Sequence, residues 1–313
     1  MNSFLSWCRS FLERRLNHSY IRFISITVLA VFLITLTVSF GTSVRGRTRF
    51  GPFLGADFGA FYIAGKIFNT HSPDQIYDRD LHQQLYQEGF PDAPPDSQLP
   101  YANAPFFILP FTLLARLPYS WAYLAWVLIS VCLYVAGLSL IWRVLKAMPK
   151  DAWLTALLLA LSFMPFLVEC LAGGQTSAFG FFCLALAISS ERRSQILSGA
   201  ALSLCYYKPT LLLLVVPMLL VSRHFITFLG FVIGNVLLVA LSLLAVGWQG
   251  CVSYIKTPLF FTGVSTSATS GLHSWKYVDI NSFFRLLFSN HPNLRWVLTA
   301  AAFLVVLPLL CRA

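Results

Sequence analysis

Residues Tyr119–Trp142 read YSWAYLAWVLISVCLYVAGLSLIW, with no Asp, Glu, Lys, Arg or His among them. A helix needs about 20 largely apolar residues to cross the roughly 30 Å hydrocarbon core of a bilayer. This stretch meets that need by itself, and the rest of the chain is read outward from it. Upstream, Ile21–Gly41 is a second span with a basic flank of Arg9, Arg14, Arg15 and Arg22. Flank and apolar core are long and no small-x-small cleavage site follows, so the segment reads as a retained anchor. Downstream come Ala152–Val168, the short Thr176–Ser189, the interrupted Ile196–Val221, the clean Phe225–Val246 and the final Arg295–Leu310.

Composition agrees. Of 313 residues, 57% are hydrophobic and 11% charged, against roughly 25% charged in an average soluble domain. A soluble globule so poor in charge would expose large apolar patches. Soluble, disordered and nucleic-acid-binding classes are therefore excluded, and the bilayer is the expected surrounding. The net charge of +10 reports topology rather than an acidic partner. The seven cysteines lie mostly in apolar runs without Cys-x-x-Cys spacing, so they read as small buried hydrophobes. No zinc or haem spacing occurs, and no metal or cofactor is expected.

Ile196–Val221 is interrupted by Tyr207-Lys208-Pro209. It is either one helix kinked at Pro209 or a hairpin with Lys208 at its tip. The hairpin is preferred, because it puts Glu191-Arg192-Arg193 and Arg223-His224 on one side. The chain then reads as one all-α polytopic domain over 1–313, with about eight spans and both termini inside. Arg9, Arg14, Arg15, Arg22, Arg143, Lys146, Lys150, Arg192, Arg193, Arg223 and Arg312 fall inside, as the positive-inside rule asks. Arg45, Arg47 and Arg49 run against it. Two segments remain outside, Thr42–Asn103 and Gly247–Leu294. Both are longer than connectors need to be, and function is sought there.

In the first outer segment, Phe58, Phe61, Tyr62, Gly65 and Phe68 recur at helical spacing directly after Asp57. Asp57 reads as a helix N-cap or as a carboxylate that takes a proton from a sugar hydroxyl. Asp78, after Ile76-Tyr77, carries the same two readings. Ala104–Leu117 is apolar but short, punctuated by Pro105, Pro110 and Pro118, and reads as a re-entrant or interfacial helix. Glu169-x-x-x-Gly173-Gly174-Gln175 reads as a tight turn, with Gln175 able to bind sugar hydroxyls. Lys208 reads as a phosphate ligand or a snorkelling side chain. In the second outer segment His273, Lys276 and Arg285, with Asp279, Trp275 and Asn281, offer positive charge to a phosphate leaving group. No glycine-rich nucleotide loop or acidic metal motif appears, so a lipid-linked sugar donor is favoured over a nucleotide sugar.

These motifs resemble glycosyltransferase family 87, of the C-type superfamily of lipid-donor glycosyltransferases. The resemblance rests on Gly55-Ala56-Asp57-Phe58-x-x-Phe61-Tyr62-x-Ala64-Gly65 and Ile76-Tyr77-Asp78. It continues through Tyr101-x-x-x-Pro105, Gly174-Gln175-x-Ser177, Lys208-Pro209 and Asp279-x-Asn281-Ser282. The family's double proline is reduced here, with Ala104 before Pro105. The resemblance implies an inverting transfer of a hexose, often mannose, from a polyprenyl-phosphate sugar to a glycolipid or glycan. It implies a site at the extracytoplasmic face of a bacterial plasma membrane, with Asp57 as base. Two rivals stay open. A transporter or flippase would show inverted repeats and mid-span charges, and a non-catalytic membrane subunit would tolerate loss of Asp57.

Overall fold

A computed structural model describes residues 17–43, 48, 54–91, 101–145, 152–264, 280–288 and 291–312. The described chain is helical, without strands. The first helix, α1 (His18–Gly41), opens on Asn17, whose side chain accepts the Tyr20 N–H at 2.8 Å. α2 (Phe58–Thr70), a 3-10 turn at Pro73–Tyr77 and α3 (Arg79–Gly89) form a polar-faced layer. A 3-10 turn at Pro105–Ile108 leads into the short α4 (Leu109–Leu114). Then come α5 (Tyr119–Val144), α6 (Ala152–Leu161), a π-helical turn at Phe166–Ala172, α7 (Ser177–Glu191) and α8 (Gln195–Ser203). α9 (Val215–Val221), α10 (Phe225–Val264), α11 (Ile280–Leu287) and α12 (Pro292–Arg312) complete the order.

Three helices are long and apolar enough to cross a bilayer: α1, α5 and the Phe225–Thr257 part of α10. Their apolar side chains face outward, as Val31, Ile34, Leu128, Val236 and Leu237 show. That surface identifies a membrane-embedded protein. The expected third span is broken instead. α6 and the π turn meet at 60° around Phe163–Pro165, giving a fourth span if the bent pair is counted as one. Pro165 has no N–H to carry a helix through the bend. The fourth expected span, α7, has 15 residues, which at 1.5 Å per residue give about 22 Å, short of the hydrocarbon core. Eight full-length spans are therefore not what the described residues form.

The interrupted stretch resolves into separate pieces. α8 passes through 3-10 turns at Leu204–Tyr207 and Pro209–Leu212, parted by Lys208, and returns as α9. Glu191, ending α7, accepts from Thr227 Oγ1 at 3.0 Å and lies 3.2 Å from His224 Nδ1. The two ends of the 195–221 stretch thus meet at one end of the molecule, with Lys208 at the other. α8 and α10 touch backbone to backbone. A Cβ on Gly199 would run into the Thr227 carbonyl, the close approach small residues allow between membrane helices. At the same end, His18 Nδ1 and Arg22 Nε reach the buried Thr155 Oγ1 at 3.0 and 2.8 Å, pinning α1 to α6.

The core lies at the opposite end, under the polar layer. Phe58, Phe111, Tyr101, Tyr123, Ile67, Ile76 and Leu167 are buried in one cluster. Most of the Pro105–Leu114 segment is buried within it, with Pro110 and Leu113 exposed. α10 breaks at Gly247, whose φ is +67°. Beyond the break the helix lies over the Pro73–Tyr77 turn, with Tyr254 5.8 Å from Tyr77 between ring centres.

His82 on α3 is buried and its Nε2 lies 2.9 Å from the Ile76 carbonyl. Its Nδ1 has no partner among the described residues. Burial pushes its pKa down to about 4, outweighing the bond to Ile76 and the charge of Asp78. The ordinary value is about 6.5. The native state therefore binds fewer protons than the unfolded one between these limits. The contribution is complete above pH 6.5 and is lost as pH falls towards 4, by roughly 3 kcal/mol. Amide exchange over residues 79–89 is expected to accelerate across this interval in wild type but much less in His82→Gln. Equal pH dependence in both would remove His82 as the cause.

Candidate active site

Asp57 stands on the turn that opens α2. The helix starts directly after it, yet its carboxylate makes no capping bond. Instead Gln175 Nε2 donates to Asp57 Oδ2 at 2.6 Å. Two of the residues singled out in sequence, 118 positions apart, are thus in direct contact. The backbones meet as well. The N–H groups of Asp57 and Phe58 both donate to the Gly173 carbonyl, at 2.9 and 3.2 Å, and Gly55 N–H donates to Ala172 at 3.2 Å. The turn that allows this has Gly174 at φ +77°, where a Cβ would sit 2.5 Å from the Phe58 Cβ. Glycine alone meets both demands.

One face of α5 holds both strands of this contact. Tyr119 donates to the Leu54 carbonyl at 2.7 Å, Tyr123 to Leu171 at 2.9 Å, and Trp126 Nε1 to Gly174 at 3.1 Å. Sequence reading placed these aromatics in a spanning helix without singling them out. Their i, i+4, i+7 spacing was the signal that they share a helix face. Phe58, fully buried, packs among them, with ring centres 5.7 Å from Tyr119, 5.9 Å from Tyr123 and 6.5 Å from Trp126.

A second chain of contacts brings in the remaining motifs. Tyr77 donates to the Asn103 carbonyl at 2.7 Å. Ala104 N–H donates to the Tyr207 carbonyl at 3.2 Å, and Tyr207 donates to Thr176, next to Gln175, at 3.1 Å. Burial pushes the Tyr77 phenol well above its ordinary range, with Tyr101, Tyr254 and Cys251 adding to it. It therefore stays a proton donor at neutral pH. Tyr254 also went unnoticed in sequence. It lies beyond the Gly247 break, and nothing local marks it as a neighbour of Tyr77.

Lys208 follows Tyr207 and is exposed at the same end of α7 and α8 as Gln175. Asp78 is a helix cap, its Oδ1 accepting from Asp80 and Leu81 at 3.0 and 3.1 Å. His273 and Lys276 lie outside the described residues, as does the side chain of Arg285 on α11.

A protein-family model for glycosyltransferase family 87 matches residues 101–313, about two thirds of the chain. The chain belongs to glycosyltransferase family 87. It is accordingly a membrane glycosyltransferase. The family 87 match takes in Tyr101, Gln175 and Lys208 and starts after Asp57, so Asp57 is tied to it through the Gln175 contact. No curated protein and no solved structure matches the chain.

Gln175 has one amide hydrogen committed to Asp57 and holds that carboxylate in place. Gln175→Leu is expected to lower kcat about 10²-fold, the scale of a 1 Å misplacement, with a much smaller change in KM for the donor. A rise in KM alone would assign Gln175 to sugar binding instead.

Proposed function

We propose that the chain transfers a hexose, mannose in the first instance, from a polyprenyl-phosphate sugar to a glycolipid or glycan acceptor, with inversion at the anomeric carbon. The observation that carries this reading is the Gln175–Asp57 bond of 2.6 Å. It leaves the carboxylate oriented by an amide rather than spent on capping a helix. The acceptor hydroxyl attacks the anomeric carbon and gives its proton to Asp57. The bond from that carbon to the phosphate oxygen breaks, and the polyprenyl phosphate leaves with the electron pair. Lys208, together with His273, Lys276 and Arg285 from the second outer segment, offsets the charge that grows on the phosphate. Asp78 remains a sugar-binding candidate through its second carboxylate oxygen.

The charge distribution supports an extracytoplasmic site in a bacterial plasma membrane. His18, Arg22, Arg143, Arg192, Arg193 and Arg223 lie at the end opposite Asp57, where the positive-inside rule places the cytoplasm. The test is sugar transfer in membranes that express the chain. Radiolabelled polyprenyl-phosphate mannose serves as donor and native lipid and glycan extract as acceptor, beside a panel of other polyprenyl-linked sugars. Transfer from one of these donors that depends on Asp57 supports the reading. Transfer that survives in Asp57→Asn removes the base, and no transfer from any donor favours a non-catalytic subunit.

A further inference from the structure

A cavity of about 250 Å3 opens beside the α2 helix. Ser43, Tyr62, Lys66, Leu85, Phe90, Tyr119 and Ser120 are among its lining residues. Ser43 lies just past the end of α1, and Ser120 is in the first turn of α5. Both helices are long enough to span, so the cavity sits level with the membrane surface at the end of the molecule that carries Asp57. Lys66 is half-buried, and among the described residues no carboxylate pairs with it. A half-buried cation without a counter-charge is costly unless something else supplies one.

The hydrogen-bond inventory narrows what that is. Tyr62 already donates to the Leu117 carbonyl, Tyr119 to Leu54, and Ser43 to Phe40. The Lys66 ammonium and the Ser120 hydroxyl keep their hydrogens, so the cavity offers donors and one positive charge. Its volume lies below the roughly 300 Å3 at which pockets for drug-sized ligands begin, which suits a small anion rather than a whole lipid. Leu113, Leu117 and Trp121, exposed and apolar, lie close by on the same stretch of chain. A ligand with apolar tails therefore has a place to lie.

We propose that this cavity binds the phosphate of a bilayer lipid headgroup, held by Lys66 and Ser120 while the acyl chains stay in the membrane. Asp57 is not among the lining residues, and the proposal does not depend on which sugar is moved.

The probe is phosphatidylglycerol. The full chain is placed in phosphatidylcholine nanodiscs with and without it, and the lipid retained on the released protein is measured by native mass spectrometry. Wild type is expected to retain phosphatidylglycerol over phosphatidylcholine. Lys66→Gln is expected to weaken retention about tenfold, the scale of losing one hydrogen bond to a charged group. Ser120→Ala should weaken it less, and Lys66→Arg should keep it. Arg116→Gln, which removes an exposed charge outside the cavity, should leave it unchanged. Equal thermal midpoints in pure phosphatidylcholine discs show that the variants are folded. Retention by Lys66→Gln equal to wild type overturns the proposal, as does equal loss in Arg116→Gln. Release of the lipid by excess inorganic phosphate assigns the cavity to a soluble phosphate and overturns the lipid source.

Discussion

Asp57→Asn is expected to abolish most sugar transfer, with kcat falling about 10²- to 10⁴-fold, the usual share of a general base. Asparagine keeps the shape of the side chain and its carbonyl can still accept from Gln175 Nε2, which now donates to Asp57 at 2.6 Å. What it cannot do is take a proton. The clamp of Asp57 and Phe58 N–H groups on the Gly173 carbonyl uses backbone alone and is untouched. The variant should therefore express and fold as wild type, with donor KM little altered. A loss confined to kcat at matched expression places the proton transfer at Asp57. A variant that unfolds or that loses donor binding instead would make Asp57 a structural residue.

The second large effect is on stability. Phe58→Ala is expected to cost about 3–5 kcal/mol, the range for a buried Phe truncated in a packed core. Phe58 is fully buried, and its ring centre lies 6.2 Å from Tyr62 and 6.4 Å from Phe111, besides the three α5 aromatics. Alanine keeps the Cβ that faces Gly174, so the cavity would open where the ring now sits, among Tyr119, Tyr123 and Trp126. The measurement is the temperature at which the detergent-solubilised protein loses its monodisperse peak, with Phe58→Leu as a milder comparison. Phe58→Ala as stable as wild type would mean that the aromatic cluster is not what holds the two turns together.

Much of this site was legible residue by residue. Asp57, Gln175 and Lys208 stood out as polar groups among small and aromatic neighbours. Their meeting was not legible, because the contacts join positions far apart through backbone carbonyls that no side-chain pattern announces. Tyr119, Tyr123 and Trp126 carried a helical period, but interfacial aromatics carry one too. The hairpin at Lys208 was readable from charge, since Glu191 and His224 had to share a side. The break in the third span went unread, because the apolar run around Met164-Pro165 hid the bend that the proline imposes. Span number was not legible: among the described residues three helices, or four with the bent pair, are long and apolar enough to cross, and apolar composition does not distinguish a short buried helix from one that reaches across a bilayer.

The aromatic sheath around Phe58 has a consequence for the timing of catalysis. Its hydrogen bonds run to carbonyls of the chain itself, from Tyr119, Tyr123 and Trp126. None of them waits for a sugar or a lipid. The turn that carries the carboxylate is thus set during biogenesis, and its conformational entropy is surrendered once per molecule rather than once per turnover. A ligand that reaches this turn meets a surface whose backbone is already ordered.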